Sequence, residues 1–409
     1  MNLSIFDMMY PRYKITKPIR LIELFAGYGS QALALKYLNV PFQHWRTCEW
    51  AVKSIQAYKD IHFENDNTDY SKSLTKEEII NTLHNLGISQ NYNEPMSKEQ
   101  IARINENQLR TILNNIIATN NMVNIQQVKG ENLEILDTDK YEYIMTYSFP
   151  CQDLSLAGKG KGMSDTSTRS GMLWEVERIL TECKELGTMP QILLMENVPQ
   201  VHSQDNMPDF HKWQVRLEEL GYKSYWQDLI ATDYGIPQTR NRCFMVSILG
   251  DYSYTFLKPI PLKLKLKDML EEDVDEKYYL SDDLMKHIQK TAKEHEEYTQ
   301  YDRYNGDLEM WCRVWKDKSP TLNTKCKDTK IYVKNATKQG YLEAKDEIGN
   351  LIIRKLTPRE CFRLMGVKDE DFDKVSKNQS DSSLYHLAGD SIVVNVLMAI
   401  FKELLWNMK

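Results

Sequence analysis

Three kinds of side chain in this sequence carry chemistry at positions a fold would present to a ligand: a cysteine after a proline, a glutamate closing an apolar run, and two arginines two apart. Cys151 follows Pro150 within Met145 to Ala157, behind the apolar Tyr143, Ile144 and Met145. A strand ending in Pro-Cys presents its thiol at the tip of a sheet, on a turn whose φ the ring partly locks. As a thiolate, such a sulfur is a nucleophile. The plain alternative is a small buried apolar residue, the usual state of an intracellular cysteine. Glu196 ends the apolar strand Ile192 to Met195 and opens Glu196-Asn197-Val198. A carboxylate at the carboxyl end of a buried parallel strand sits in the crevice where such sheets bind ligands. Arg240 and Arg242 precede the apolar Cys243 to Ser247. In an extended segment both point to one face; standing alone, such a pair is by default a surface pair.

The elements that would position these groups read as a doubly wound α/β sheet. Ile19, Leu21, Ile22 and Leu24 form a short buried strand, Ala26-Gly27-Tyr28-Gly29-Ser30 turns, and a helix begins at Ala32. Such a turn brings backbone N–H groups and a helix N-terminus up to a ligand. A second strand, Phe42 to Cys48, ends in Glu49-Trp50. There an acidic residue grips a ribose hydroxyl pair, and Trp50 stacks on an adenine or plugs the core. The third glycine of a dinucleotide fingerprint is missing, which leaves an adenosine-containing cofactor without a pyrophosphate signature. Residues 62–124 turn polar and helical, with capping boxes at Thr75 and Ser97, and read as a helical insertion that decorates the fold without chemistry. Val123 to Val128 is expected to restart the sheet, with Gly130-Glu131-Asn132 at its end. A polar loop, 158–170, carries Lys159, Lys161 and Arg169 before a helix over Met172 to Leu186. Gly221 to Ile230 gives another strand. Past Gly250 the pattern changes to short strands, aromatics and scattered lysines, a smaller and irregular module. A helix with Thr357 as N-cap and Pro358 at its first position follows. Ala388 onward is expected to open a last helix with an anion-friendly N-terminus.

Composition bounds these readings. The chain has 409 residues, 42% hydrophobic and 27% charged, as ordinary globular proteins do. A net charge of −6 excludes a wholly basic nucleic-acid coat but not a local basic cleft. Seven cysteines with no CxxC pair argue against a disulfide framework or a zinc site, so no metal is expected. No signal peptide and no membrane-spanning run of about 18 apolar residues is evident. A cytoplasmic monomer is the expectation.

In order and spacing these motifs resemble the cytosine-5 DNA methyltransferases, nearly end to end. Leu24-Phe-Ala-Gly-Tyr-Gly29 is similar to the family's cofactor loop, Glu49-Trp50 to its ribose and adenine contacts, and Phe149-Pro-Cys-Gln152 with Ser155 to its nucleophile segment. Glu196-Asn-Val198 resembles the motif that holds the target cytosine, Gln238-x-Arg240-x-Arg242 the paired arginines, and Gly389-Asp-Ser391 the segment returning to the cofactor. The resemblance implies S-adenosyl-L-methionine as cofactor and S-adenosyl-L-homocysteine as product. It implies contacts to it from Phe25, Gly27, Tyr28, Gly29, Ser30, Glu49, Trp50, Glu131, Pro150, Leu173, Asp390 and Ser391. It implies catalysis by Cys151, Glu196, Arg240 and Arg242, with Phe149, Gln152, Ser155, Asn197, Arg169 and Thr321 toward double-stranded DNA. Residues 1–250 with 385–409 would form the catalytic domain and 251–384 the target recognition domain with its supporting helix. A restriction endonuclease is the partner that a restriction-modification system implies. Glu23 replaces the family's aspartate, Ser30 and Ser148 stand where glycine is common, Glu131-Asn132 departs from the usual Asp-Ile, and Asp390 replaces an asparagine.

The chemistry agrees with that resemblance. A neutral cytosine does not attack a methyl group unaided; addition of a thiolate to C6 makes C5 enamine-like, which calls for a cysteine. An acid must share a proton at N3, the place of Glu196, while Arg240 and Arg242 could donate to the base's O2 and order Glu196. The cytosine must first be flipped out of the duplex, and loop 158–170 is the candidate for closing over the DNA backbone. A tRNA cytosine-5 methyltransferase would share every catalytic motif, but the Cys-Phe-Thr segment of RNA-directed relatives is missing here. A non-catalytic DNA-binding relative is opposed by intact Cys151, Glu196, Arg240 and Arg242. A nucleotide-dependent oxidoreductase rests on the glycine turn alone.

Overall fold

The computed structural model describes residues 10–150, 170–279, 318–319, 321–322, 330–333, 335–337, 341–343 and 352–405. Cys151, Gln152, Ser155, Lys159, Lys161 and Arg169, and with them loop 158–169, lie outside these residues.

Two compact units divide the chain. The first comprises Met1–Leu229, Asn241–Lys258 and Val396–Lys409, the second Ile230–Arg240 and Pro259–Asn395. The sequence reading had grouped 385–409 with the first part and had no segment of the second before residue 251.

The first unit is built on a six-stranded sheet of β1 (Ile19–Leu24), β2 (Phe42–Cys48), β3 (Glu142–Tyr147), β4 (Ile192–Asn197), β5 (Tyr222–Ile230) and β6 (Asn241–Leu249), in the order β2-β1-β3-β4-β6-β5. β1 runs parallel to β2 and β3, and β3 parallel to β4, whereas β6 is antiparallel to β4. Every residue of β1, β3 and β4 is buried, as in strands covered on both faces, which is why apolar residues dominate them without a polar-out alternation. Parallel pairing in near register (Leu24 opposite Tyr147, Tyr147 opposite Met195) gathers the segments after β1, β2, β3 and β4 along one edge. Helices α1 (Ser30–Tyr37) and α2 (Val52–His62) follow β1 and β2. A core layer of Leu173, Val176, Ile179, Leu180, Phe210 and Trp213 packs on the sheet.

The insertion consists of α3 (Lys76–Leu86), α4 (Lys98–Ala102) and α5 (Glu106–Ala118). Both capping boxes form, Thr75 with Glu78 and Ser97 with Gln100. Ile101 lies on α4 and Ile112 and Ile116 on α5, because the Asn105 side chain caps a new helix start by accepting Gln108 N–H. The insertion has its own core, including Ile79, Leu83, Ile101, Leu109, Leu113 and Ile116. Val123 to Val128 is not a strand. Asn124 folds it into a turn by accepting Gln126 N–H through its side chain and Gln127 N–H through its carbonyl, the local competition that asparagine offers to a ladder.

The first unit also holds α6 (Leu173–Leu186) and α7 (Met207–Glu219), and the described residues of the second include short antiparallel pairs. β7 (Lys330–Val333) pairs with β10 (Ile352–Lys355), and β8 (Asn335–Thr337) with β9 (Tyr341–Glu343). Then come α8 (Pro358–Leu364), α9 (Asp369–Ser376) and α10 (Asp381–Asp390), with α11 (Val394–Leu404) last. Thr357 and Glu360 form the capping box of α8. Glu360 also accepts two bonds from the Arg354 guanidinium, at 2.7 and 2.5 Å, in a pair that is 1% and 0% exposed. Gly389-Asp390-Ser391 closes α10 rather than opening α11. The stretch Asp381–Leu404 reaches a mean hydropathy of 1.6, long and apolar enough to cross a membrane by composition, but 72% of its most apolar window is buried inside the protein. It is core.

Candidate active site

The turn after β1 is held in a conformation few residues adopt. Phe25, Gly27 and Gly29 have φ of 58°, 55° and 81°, the left-handed region. At Gly29 a Cβ would stand 2.4 Å from His62 Nε2 and 2.6 Å from a Tyr58 ring carbon, so only glycine fits. At Gly27 a Cβ would meet nothing within 4 Å: the space beside it is open. Two α2 side chains clamp the turn from behind. His62 Nε2 lies 3.0 Å from Tyr28 O, and the Tyr58 hydroxyl donates to Glu23 at 2.5 Å. The other Glu23 oxygen accepts Ala32 N–H at 3.2 Å, a cap on α1 supplied from the strand. Burial outweighs these two bonds and pushes the Glu23 carboxyl up to about 7. Burial likewise depresses His44, to about 4, and His62, whose ring is further opposed by His44.

Glu49 stands half-buried past the end of β2 with both oxygens engaged, one accepting Gly27 N–H at 2.9 Å and the other Ala51 N–H at 2.8 Å. Trp50 packs against the insertion's core. Tyr28, Gly29 and Ser30 are buried. Glu131 is exposed on a single 3-10 turn, Gly130–Leu133. Leu173 is 0% exposed, packed within the sheet's core layer.

At the end of β4, Glu196 is 6% exposed. One oxygen faces Arg242 Nε at 3.2 Å and the other accepts the Ser148 hydroxyl at 2.5 Å. Asn197 donates from Nδ2 to Phe149 O at 3.1 Å, while its Oδ1 accepts Val198 N–H at 2.8 Å. The strand-end dipeptide Glu196-Asn197 thus grips Ser148 and Phe149, immediately before Pro150 and Cys151 in the chain. Ser148, which stands where the family commonly has glycine, is a partner of Glu196 through its hydroxyl. Its spacing to Cys151 offered the signal, but no local pattern names its acceptor.

The two arginines diverge. Arg242 pairs with Glu196, whereas Arg240, in the second unit, is 4% exposed and donates to three carbonyls: Leu322 at 2.7 Å, Gly389 at 3.1 Å and Ser391 at 2.8 Å. Beside it Gln238 donates to Leu364 O and accepts Leu322 N–H, and the Thr321 hydroxyl donates to Thr239 O at 3.3 Å. Arg240 therefore tethers Leu322 to the Gly389–Ser391 turn. Asp390 is 55% exposed, 3.1 Å from His386 Nε2. Among the described residues, His202, Asp228 and Cys243 bring metal-ligand atoms within 4.8 Å of one another. His202 and Asp228 are bonded at 2.8 Å, and burial, then Asp228 and Glu196, raise the Cys243 thiol far above its usual range. A metal there would have to displace that proton.

A family model described as C-5 cytosine-specific DNA methylase matches residues 85–406. The chain belongs to this family. Type II methyltransferase M2.ScrFI of Lactococcus lactis subsp. cremoris is 35% identical over 390 residues, 94% of this chain and 99% of the relative. Orphan methyltransferase M.SssI of Spiroplasma monobiae is 30% identical over 401 residues, 95% and 98% of the two chains. The solved structure of Entamoeba histolytica methyltransferase EhMeth aligns with a TM-score of 0.61 at 15% identity, covering 95% of this chain and 98% of that one, and shares the fold. This C-5 cytosine DNA methylase transfers a methyl group from S-adenosyl-L-methionine to cytosine C5 in DNA. The residues after β1 and β2 fit an adenosyl cofactor: an acidic side chain past β2, open space at Gly27, and an α1 N-terminus whose cap residue, Gly29, supplies no side-chain bond.

Proposed function

We propose that Cys151 is the nucleophile, Glu196 the proton-sharing acid and Arg242 the cation that orders it, acting on a cytosine flipped out of duplex DNA. The observation that carries this reading is the grip of Glu196 and Asn197 on Ser148 and Phe149. It binds the acid's strand to the segment bearing the nucleophile, so the two groups approach a base as one body. The Cys151 thiolate adds to C6, with proton sharing between Glu196 and N3 relieving the negative charge. When bound, S-adenosyl-L-methionine supplies an electrophilic methyl group. With S-adenosyl-L-homocysteine as the leaving group, the methylated C5 would give its proton to water as Cys151 leaves C6 as a thiolate and 5-methylcytosine is released. Glu49 holds the ribose, Trp50 the adenine, and the turn from Phe25 to Ser30 the remainder, with Pro150 beside the same cofactor and Glu131 touching the adenine.

Arg240 is a positioning residue in this reading, tying Leu322 to Ser391 rather than meeting the base. The second unit reads the DNA site through residues between 251 and 350, with Thr321, Gln152, Ser155 and Arg169 at the DNA. The enzyme works as a cytoplasmic monomer beside a restriction endonuclease; a nuclease activity in the source cells that is blocked by DNA this enzyme has modified would establish the partner.

Bisulfite sequencing of DNA from a methylation-free host expressing the full chain tests the whole. Protected cytosines within one short recurring site are expected, with Cys151→Ala binding DNA but leaving it unprotected. Protection by Cys151→Ser at wild-type rates would sink the covalent mechanism.

A further inference from the structure

The helical insertion is attached to the cofactor edge around the end of β2, partly through the backbone and partly through one side chain. β2 is the outermost strand of the sheet, so its free edge needs covering. The segment after α5 covers it. Thr47 N–H donates to Asn120 O at 3.2 Å, Met122 N–H to Thr47 O at 2.8 Å, and the Thr47 hydroxyl to Thr119 O at 3.1 Å. One residue beyond the strand, where Glu49 needs a partner, the Asn121 carboxamide takes over. Its Oδ1 accepts Glu49 N–H at 3.0 Å and Val123 N–H at 2.9 Å, and its Nδ2 donates to Glu49 O at 2.9 Å. A carboxamide offers the same donor and acceptor as a peptide unit, so Asn121 extends the ladder by one rung past Cys48. On the far side, Ser89 N–H donates to Trp50 O at 2.7 Å and Val52 N–H to Ser89 O at 2.9 Å. The insertion thus holds the backbone of Glu49 and Trp50 from both directions. From there the chain of contacts runs through the Glu49 carboxylate to Gly27 N–H. Asn120 and Val123 are held at φ of 49° and 63°, a left-handed backbone unusual for a β-branched residue.

We infer that Asn121 is a positioning residue for the cofactor: it sets the backbone of Glu49 so that the carboxylate meets the ribose hydroxyls and Gly27 N–H together. The insertion is therefore part of the cofactor site's frame rather than a decoration. This inference rests on the ribose role proposed for Glu49.

The test uses the full chain and calorimetric titration with S-adenosylhomocysteine and with its 2′,3′-dideoxyribose analogue. Wild type should prefer the natural ligand. Asn121→Ala should weaken the natural ligand about tenfold, the scale of a lost hydrogen-bond pair, leave the analogue nearly unchanged, and raise KM for S-adenosylmethionine with kcat within about twofold. Asn121→Asp keeps both acceptor contacts but turns the donation to Glu49 O into an oxygen–oxygen repulsion; it should weaken the natural ligand at least as much as alanine does while sparing the analogue, and it decides the question if the alanine variant does not fold. Equal weakening of both ligands, or no weakening, overturns the inference. If Glu49→Ala keeps the wild-type preference for the natural ligand, the ribose reading falls instead. Positioning is then decided by Asn121→Ala in the Glu49→Ala background, where no further loss sustains it and an additive loss overturns it.

Discussion

Glu23 lies one residue from the end of β1 and Glu196 one residue from the end of β4, both buried at the same edge of one sheet. Their partners differ. Glu196 has the Arg242 guanidinium and a serine hydroxyl. Glu23 has a tyrosine hydroxyl and one backbone N–H, with no cation among its bonds, and burial lifts its carboxyl to about 7. A strand end decides where a carboxylate sits, and the neighbouring elements decide what it does. With a cation it can order itself against a reacting base; with only neutral donors it becomes a structural cap.

If that division holds, removing the acid at β4 has the largest effect. Glu196→Gln keeps the shape and should lower kcat by about 10²- to 10⁴-fold, the range for a positioned acid, while calorimetric affinity for S-adenosylhomocysteine stays close to wild type. Loss of cofactor affinity alone would remove Glu196 from the chemistry. Next comes the cation. Arg242→Ala leaves a buried carboxylate unpaired and should cost about 3 kcal/mol in urea unfolding. Arg242→Ala with Glu196→Gln should recover much of it, because no lone charge remains. A smaller change follows from Ser148→Ala, which removes one hydrogen bond to Glu196; about a tenfold fall in methyl transfer is expected from that bond. A wild-type rate would leave Arg242 as the sufficient partner.

Glu23→Gln is the mildest. Because its folded pKa lies above the unfolded value, Glu23 stabilises the fold below about 4.5 and loses that contribution as pH rises to about 7. Wild type should therefore exceed Glu23→Gln in urea midpoint at pH 5 and converge with it above pH 7. Glu142, also raised to about 7, titrates in both proteins and cancels in the difference. A gap that widens with rising pH would mean the carboxyl is ionised in the fold.

Strands whose partners are other buried strands were legible from their residues. β1, β3 and β4 are mostly apolar and buried throughout, and Glu49, Pro150 and Glu196 mark where the crevice begins. The capping boxes at Thr75 and Ser97 were legible too, since cap and partner are three residues apart, and so was the N-cap at Thr357. Contacts that close over long separations were not. Ser148 reaches Glu196 and Asn121 reaches Glu49 across 48 and 72 positions, and a hydroxyl or carboxamide gives no sign of which acceptor it will meet. Arg240 and Arg242 look equivalent at a spacing of two, but one meets carbonyls and the other a carboxylate. Val123 to Val128 has strand composition, yet Asn124 turns it.

The Arg354–Glu360 pair has a consequence for exchanging specificity between relatives. Both charges are fully buried, and Glu360 additionally receives Thr357 N–H and Glu271 N–H. A chimaera joined between 354 and 360 from unmatched parents would strand one of those charges, a loss of about 3–5 kcal/mol that leaves little of a domain's stability. A joint placed before Arg354 keeps the ion pair within one parent, although Glu271 must then remain compatible with it. Grafts of foreign sequence into 279–350 should fold only when that seam is respected.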